Sequence, residues 1–427
     1  MKSTKVHSLA AALSCMLLMR PGLILADDWA TYQHDNAHTG RSSAAFDSTL
    51  LTKAWGSMQY TDPIVVGNSV FGIRGNGTVT VTSFNLLNGQ TKWSTSLSAS
   101  TPSYPTYAEG LLVFASSTST GDRLYVLDAA SGAQKYSVDM PPLGGIPLTP
   151  TIARNANNDL VAYVAGGEKV AAVNLGANAG SVMWTGSGSI GGSSMATIVG
   201  NSIILAGPDQ YYAFDQLTGA SNHFFGGTIS GGGGVTVAFD SARMEFYVHD
   251  DSRNVLEAYS YTNNGAISSI WQVANGSSGG SVSIGADGGV YYATVSGLFE
   301  RDPTDGHVLR SLSGLALSNE TTPALSANSI FLYGDATSGG TTEIFDINTF
   351  AHVSSISRGR GDLGTDYQGP GAIFDNGYVL YYHTDTTTSG FDVYLAVPEP
   401  SAVLLLLTSS IVTVTRRHRK SVPHNRV

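Results

Sequence analysis

The chain has 427 residues, of which 50 are glycine, 13% are charged and one is cysteine, and its formal net charge is −10. One cysteine excludes an intramolecular disulfide, a multi-thiolate zinc site and an iron–sulfur centre, and the acidic balance excludes a general nucleic-acid binder. Low charge with 42% hydrophobic residues excludes a disordered chain or a coiled coil.

Residues 1–26 read as a signal peptide. Lys2 and Lys5 precede a nearly unbroken apolar run, Ser8 to Met19, which is too short to span a bilayer comfortably, and Ala26 offers a small residue for cleavage before Asp27. Cys15 lies inside this segment, so the exported protein is expected to hold no cysteine. Residues 27–50 form a lead-in that includes Asp28-Trp29-Ala30-Thr31-Tyr32-Gln33-His34-Asp35-Asn36-Ala37-His38-Thr39-Gly40. His34 and His38 are four apart, but in a loop rather than a helix, so they are not read as a facing metal pair.

Residues 51–396 carry one repeated unit. An apolar strand ends in an acidic or amide residue, a turn containing glycine follows, and the next strand begins with a large apolar residue. Asn85 with Gly89 leads to Trp93, Asp128 with Gly132 to Tyr136, and Asn174 with Gly180 to Trp184. Asp215 with Gly219 leads to Phe224, Ser260 with Gly265 to Trp271, Asp302 with Gly306 to Leu309, and Asp346 to Val353. The polar positions are 43, 46, 41, 45, 42 and 44 residues apart, the period of a four-stranded propeller blade. The side chain at the strand end is expected to bond the turn backbone, and the glycine to supply a left-handed residue. The following aromatic is expected to fill the gap between blades.

Between these units lie short hairpins, such as Ile64–Phe71 about Gly67-Asn68 and Thr197–Leu205 about Gly200-Asn201. Thr52 to Gly56, around Trp55, resembles an outer strand with no inner strands before it. Ala372–Tyr382 and Phe391–Ala396 are inner strands with no outer strand after them. The first strand is therefore expected to complete the last blade. The fold class is all-β: an eight-bladed β-propeller closed by its N-terminal strand, with seven blades as the alternative.

The lead-in and the Asp-x-x-Thr-Gly-x-x-x-aromatic turns, best at Asp215 and Asp128, resemble the PQQ-repeat (quinoprotein-like) propellers over residues 28–396. The resemblance speaks for fold rather than activity, since that fold hosts enzymes and scaffolds alike. The family's dehydrogenases hold their quinone beneath a vicinal cysteine pair in a longer body. With no such pair here, PQQ is not expected, and no other cofactor is implied.

Residues 397–427 read as a second address. Val397-Pro398-Glu399-Pro400-Ser401 precedes an uncharged, mostly apolar span, Ala402 to Thr415, and then the basic cluster Arg416, Arg417, Arg419 and Lys420. This layout resembles the PEP-CTERM sorting signal. The resemblance implies a short C-terminal hydrophobic helix that anchors transiently in the inner membrane. It also implies cleavage by an exosortase-like enzyme and release to the cell surface, outer membrane or extracellular matrix. Without both addresses, residues 27–397 hold 14 basic and 31 acidic residues, a net charge of −17.

Other motifs read as structure. Gly186 to Gly191 spells a dinucleotide fingerprint but lacks the strand–turn–helix setting it needs. Arg360-Gly361-Asp362 is a chance-length adhesion tripeptide. His249-Asp250-Asp251 and the pair Asp302 and Asp305 could offer oxygen ligands to a hard cation, but turn capping is the simpler reading. No catalytic or metal residues are assigned. The expectation is a non-enzymatic binding or scaffolding protein whose partner is an exopolysaccharide or a surface protein. A carbohydrate-active hydrolase or lyase with carboxylates in the channel is one alternative, and a structural surface or adhesion component is another.

Overall fold

The computed structural model describes residues 28–396 except 46, 76, 119–120, 189, 191–193, 208–209, 225–235, 251–252, 263–264, 277–279, 318–320, 334–340, 358–372, 375–377 and 385–388. Eight four-stranded antiparallel sheets form the blades of a propeller, and no helix occurs among the described residues. The segments read as a signal peptide and a sorting tail, with the helix expected in the latter, lie outside the described residues, as do Arg360-Gly361-Asp362 and Asp251.

In blades 1 to 7 the strands pair in chain order. Blade 8 is built from both ends of the body. Leu51–Met58 is its outer strand, pairing with Ser389–Ala396 from Leu51 opposite Ala396 to Met58 opposite Gly390. Closing the ring in this way leaves no unpaired seam between the first and last blades. Gly56 is needed at the seam, because a Cβ there would lie 2.1 Å from Asp392 Oδ1. Asp392 in turn takes the Lys53 ammonium at 2.7 Å.

The outer strands of blades 1 to 7 are Thr91–Leu97, Gln134–Met140, Gly180–Ser187, Ser221–Phe224, Ile267–Ala274, Val308–Ser313 and His352–Ser357. All eight expected outer strands are present, so the blade number is eight. The core lies between blades, because each sheet buries both faces against its neighbours. One cluster joins Val65 and Phe84 of blade 1 to Val379 and Phe391 of blade 8, with Phe331 of blade 7.

The repeated turn acts as expected at most blades. Asp215 Oδ1 accepts from the backbone N–H groups of Leu217 and Thr218 and from Thr218 Oγ1 at 2.8–3.1 Å. Asp346 does the same with Asn348 and Thr349. Asp128 caps Ser131, Asp302 caps Thr304, and Asn85 caps Leu87. Gly89, Gly132, Gly219 and Gly306 are left-handed, with φ of 68–74°.

The outer-strand tryptophans reach the next blade rather than their own. Trp55, Trp93, Trp184 and Trp271 lie against Gly89, Gly132, Gly219 and Gly306, where a Cβ would come within 2.3–2.7 Å of the indole. Each indole N–H donates to the carbonyl of the residue after the cap: Leu86, Ala129, Gln216 and Pro303, at 2.7–3.0 Å. Tyr136 makes the equivalent bond to Gly176 O at 2.7 Å.

Two expectations change. Gly180 does not supply a left-handed turn. It begins the outer strand of blade 3, and a Cβ there would meet Val138 and Tyr136 of blade 2 at 2.8 and 3.1 Å. Leu309 does not fill the gap after blade 6, because it is 45% exposed, and Arg310 takes the place instead. Its Nη1 donates to Ile347 O at 2.7 Å. After blade 7 Val353 packs into the cluster between blades as expected, and the neighbouring Ser354 adds a bond. Ser354 Oγ donates to Ser48 O at 2.7 Å, just before the closing strand.

Candidate functional site

The centre of the ring is built around the lead-in. An innermost strand has no partner on its channel side, so its backbone groups need an answer there. Residues 29–40 supply it in one circuit. Trp29 O accepts from Val65 N of blade 1 at 3.0 Å, and Ala30 O from Tyr107 N of blade 2 at 2.9 Å. Asn36 Nδ2 donates to Ile152 O of blade 3 at 2.5 Å, and Asn36 O accepts from Ile198 N of blade 4 at 3.0 Å. Ala37, Thr39 and Gly40 carbonyls accept at 2.8 Å from Phe239, Ile284 and Leu325 of blades 5, 6 and 7.

Holding this path requires left-handed residues at Gln33, His34, His38 and Gly40, with φ of 51–80°. Asp35 is the organiser. Its Oδ1 accepts from the backbone N–H groups of Ala37 and Thr39 at 3.1 and 3.0 Å, and its Oδ2 from Thr39 Oγ1 at 2.6 Å. Burial opposes the charge, but bonds from His34 and Thr39 hold the Asp35 carboxyl below its ordinary range. The two lead-in histidines have separate duties. His34 meets Asp35 and packs edge-on to Trp29. His38 is fully buried between the carbonyls of Tyr32 and Ala196, at 2.8 and 3.2 Å from its ring nitrogens. Burial pushes its pKa down.

Hydroxyl side chains join the inner strands to one another. Thr106, Thr197 and Ser283, each first in its strand, donate to Pro150, Val237 and Pro323, each just before the next inner strand, at 2.5–2.7 Å. Thr236 N donates to Ser281 Oγ and Ser281 N to Thr322 Oγ1, both at 2.9 Å. At blade 3 the hydroxyl of Thr151 makes no hydrogen bond among the described residues, and Ala196 O, the acceptor in the equivalent place, lies against His38.

A cavity of about 450 Å³ opens where the lead-in passes blades 5 and 6. Its walls are Asp35, Thr39 and Arg41 on one side and the turns 239–243 and 284–288 on the other. The inner hairpins of blades 1, 2 and 4 turn in two residues. Those of blades 3, 5 and 6 take five, four and five, and the turns of blades 5 and 6 line the cavity.

The remaining sequence candidates have partners within the protein. Asp250 is buried and ion-paired with Arg253, whose Nη2 also meets Glu257 Oε2 at 2.9 Å, and Tyr211 donates to that same oxygen at 2.8 Å. His249 is 1% exposed, and burial outweighs the pull of Asp250 and of the Gly276 backbone, bringing its pKa down to about 4. Asp302, Asp305 and His307, the last missed from sequence, bring ligand atoms within 4.8 Å of one another. Asp302 caps the turn, and Asp305 accepts from His307 N and Nδ1 at 3.0 and 2.6 Å. Gly186 and Gly188 let the chain pass over Phe214 and Tyr212, where a Cβ would come within 2.3 and 2.5 Å.

Solved structures share this architecture at low identity, which supports the fold alone. BamB from Moraxella catarrhalis is 16% identical with a TM-score of 0.57, covering 81% of this chain and 98% of its own. The computationally designed Ika8 protein is 13% identical with a TM-score of 0.58, covering 80% and 98%. Sqt1 from Saccharomyces cerevisiae is 12% identical with a TM-score of 0.53, covering 84% and 100%. No curated protein matches the chain in sequence. Residues 49–312, more than half of the chain, match the PQQ-repeat family model described as outer membrane protein assembly factor BamB, and the chain belongs to that family.

Proposed function

We propose that this protein is an exported, non-enzymatic propeller that binds or scaffolds partners at the cell surface or in the extracellular matrix. On this reading an exosortase-type enzyme cuts at the Pro398-Glu399-Pro400 tail, and the net charge of −17 keeps the exported body soluble. The observation that carries the reading is the use made of the ring's centre. The lead-in fills the inner edges of seven blades, and the inner hydroxyls of Thr106, Thr197 and Ser283 tie blade to blade. Groups so committed make a rigid platform, and the family's description as an assembly factor agrees with that role.

Mass spectrometry of the protein recovered from its host tests the processing. A mature N-terminus at or near Asp27 and loss of the chain beyond about Pro400 are expected. An intact tail on the surface-exposed protein overturns exosortase-type processing. Retention on the host's matrix polysaccharide or on a surface protein tests the binding role. Catalytic turnover of that polysaccharide overturns the non-enzymatic reading.

A further inference from the structure

The cavity beside blades 5 and 6 has features that a gap between loops does not need. Asp240 and Asp287 are each fixed by one carboxylate oxygen only. Asp240 Oδ1 accepts from Ala242 N and Arg243 N at 2.9 and 3.3 Å, and Asp287 Oδ1 from Gly289 N at 3.0 Å. Oδ2 of each makes no hydrogen bond among the described residues, and both side chains line the cavity. Opposite them stands Arg41. Its Nη1 is pinned to Gly285 O at 2.6 Å, and it makes no ion pair among the described residues, which leaves its other donors open. Arg243 is held by Glu245 Oε2 at 2.9 Å and Thr304 Oγ1 at 3.1 Å. The floor is buried: Phe239 and Ile284 are 5% and 2% exposed, and Asp35 is locked in its turn.

The chemistry of this set selects a ligand class. Turn-mounted carboxylates present open acceptors, a guanidinium presents open donors, and both are positioned before any ligand arrives. Vicinal hydroxyls are the groups that answer such a mixture, because each hydroxyl both donates and accepts. A polyanion would meet Asp240 and Asp287 at close range, and a purely apolar ligand would leave all of these groups unanswered. The volume lies in the ~300–1,000 Å³ range of small-molecule sites.

We propose that this cavity binds a neutral pyranose unit of a polysaccharide, with Asp240 and Asp287 accepting from its hydroxyls and Arg41 donating to them. The inference rests on the binding role proposed above and names one site for it.

Saturation-transfer NMR on the processed protein tests it, with cellotriose, mannotriose and chitotriose as neutral probes and trigalacturonate as the anionic one. Transfer from at least one neutral trisaccharide and none from trigalacturonate is expected. Asp240→Asn and Asp287→Asn keep the turn-capping oxygen, so each should fold as before and weaken binding about tenfold. Ala242→Trp, on the exposed wall, should abolish it by volume. Unchanged thermal melting confirms that the variants fold. No transfer from any neutral probe, stronger transfer from trigalacturonate, or unchanged binding in all three variants overturns the site. If the matrix polysaccharide is still retained in those cases, the binding role survives without this cavity. If it is not retained either, the polysaccharide form of that role falls as well.

Discussion

The guanidinium carbon of Arg310 sits 4.6 Å from the centre of the Phe350 ring. At four other interfaces the same two positions are tryptophan and a left-handed glycine. Phe350 occupies the glycine position, with φ of 59°, and its N–H still bonds Asp346 O at 2.9 Å. A bulky residue there is strained. The interface keeps it because the pair changes together: Arg310 spans Glu300, Ile347 O and the Phe350 ring, which packs on Tyr291.

These two residues should therefore show strong thermodynamic coupling. In a Glu300→Gln background, which avoids stranding a buried charge, Arg310→Trp should cost about 2 kcal/mol through overpacking. Phe350→Gly relieves strain but leaves a cavity, for a net cost of about 3 kcal/mol. The double variant rebuilds the indole-over-glycine contact and should lose at least about 1.5 kcal/mol less than the two costs combined. Urea unfolding of the four proteins measures this, and simple additivity would contradict it.

Gly132 and Gly110 separate backbone strain from steric exclusion. Both have φ above 70°, but a Cβ at Gly132 would lie 2.3 Å from Trp93 Cε3, while one at Gly110 meets nothing within 4 Å. Gly110→Ala should cost about 1 kcal/mol and Gly132→Ala about 3 kcal/mol or more. Trp93 fluorescence should shift in the second variant only.

The blade number, the closing strand and the turn caps could be read from sequence because each rests on local chemistry at a fixed period. Asp215, Gly219 and Trp184 act through turns and spacings that one chain segment displays. The exchange at Arg310 and Phe350 could not, because each half looks irregular until the two blades are placed together. The unit's large apolar position points to Leu309, yet the bond to the Ile347 carbonyl needs a donor. The lead-in was legible as a segment but not as the core of the ring. Its partners, Val65 to Leu325, are spread over some 260 positions, and its carbonyls carry no sequence signal. The cavity depends on turn lengths in two neighbouring blades and was equally hidden.

Asp35 should be the weak point of the centre. Asp35→Ala strands the Ala37 and Thr39 N–H groups and frees the segment that bonds seven inner strands. A loss of about 2–4 kcal/mol is expected. Limited proteolysis should then cut within residues 28–45 before any blade. First cleavage in a blade with the lead-in intact would show that the ring does not depend on it.

The last prediction concerns acid. His249 has a pKa of about 4 in the folded protein, against an ordinary 6.5, because burial disfavours its charged form more strongly than Asp250 favours it. His38 is pushed the same way by burial. The unfolded chain therefore binds protons at pH values where the folded protein refuses them, so stability is full above 6.5 and falls as pH drops toward 4. His249 alone should account for about 2 kcal/mol between pH 6.5 and 4.5. His307, raised by Asp305 on an exposed turn, works weakly in the opposite direction. Carboxylates held low, such as Asp35 and Asp346, lose their contribution mainly below this window. His249→Leu removes a buried imidazole and leaves at most one weakly bonded backbone group of Gly276 behind. The variant should be at least as stable as the parent at pH 7 and should lose about 2 kcal/mol less on acidification to pH 4.5. Urea unfolding midpoints across that range measure both effects, and an unchanged pH slope in His249→Leu would place the acid sensitivity elsewhere.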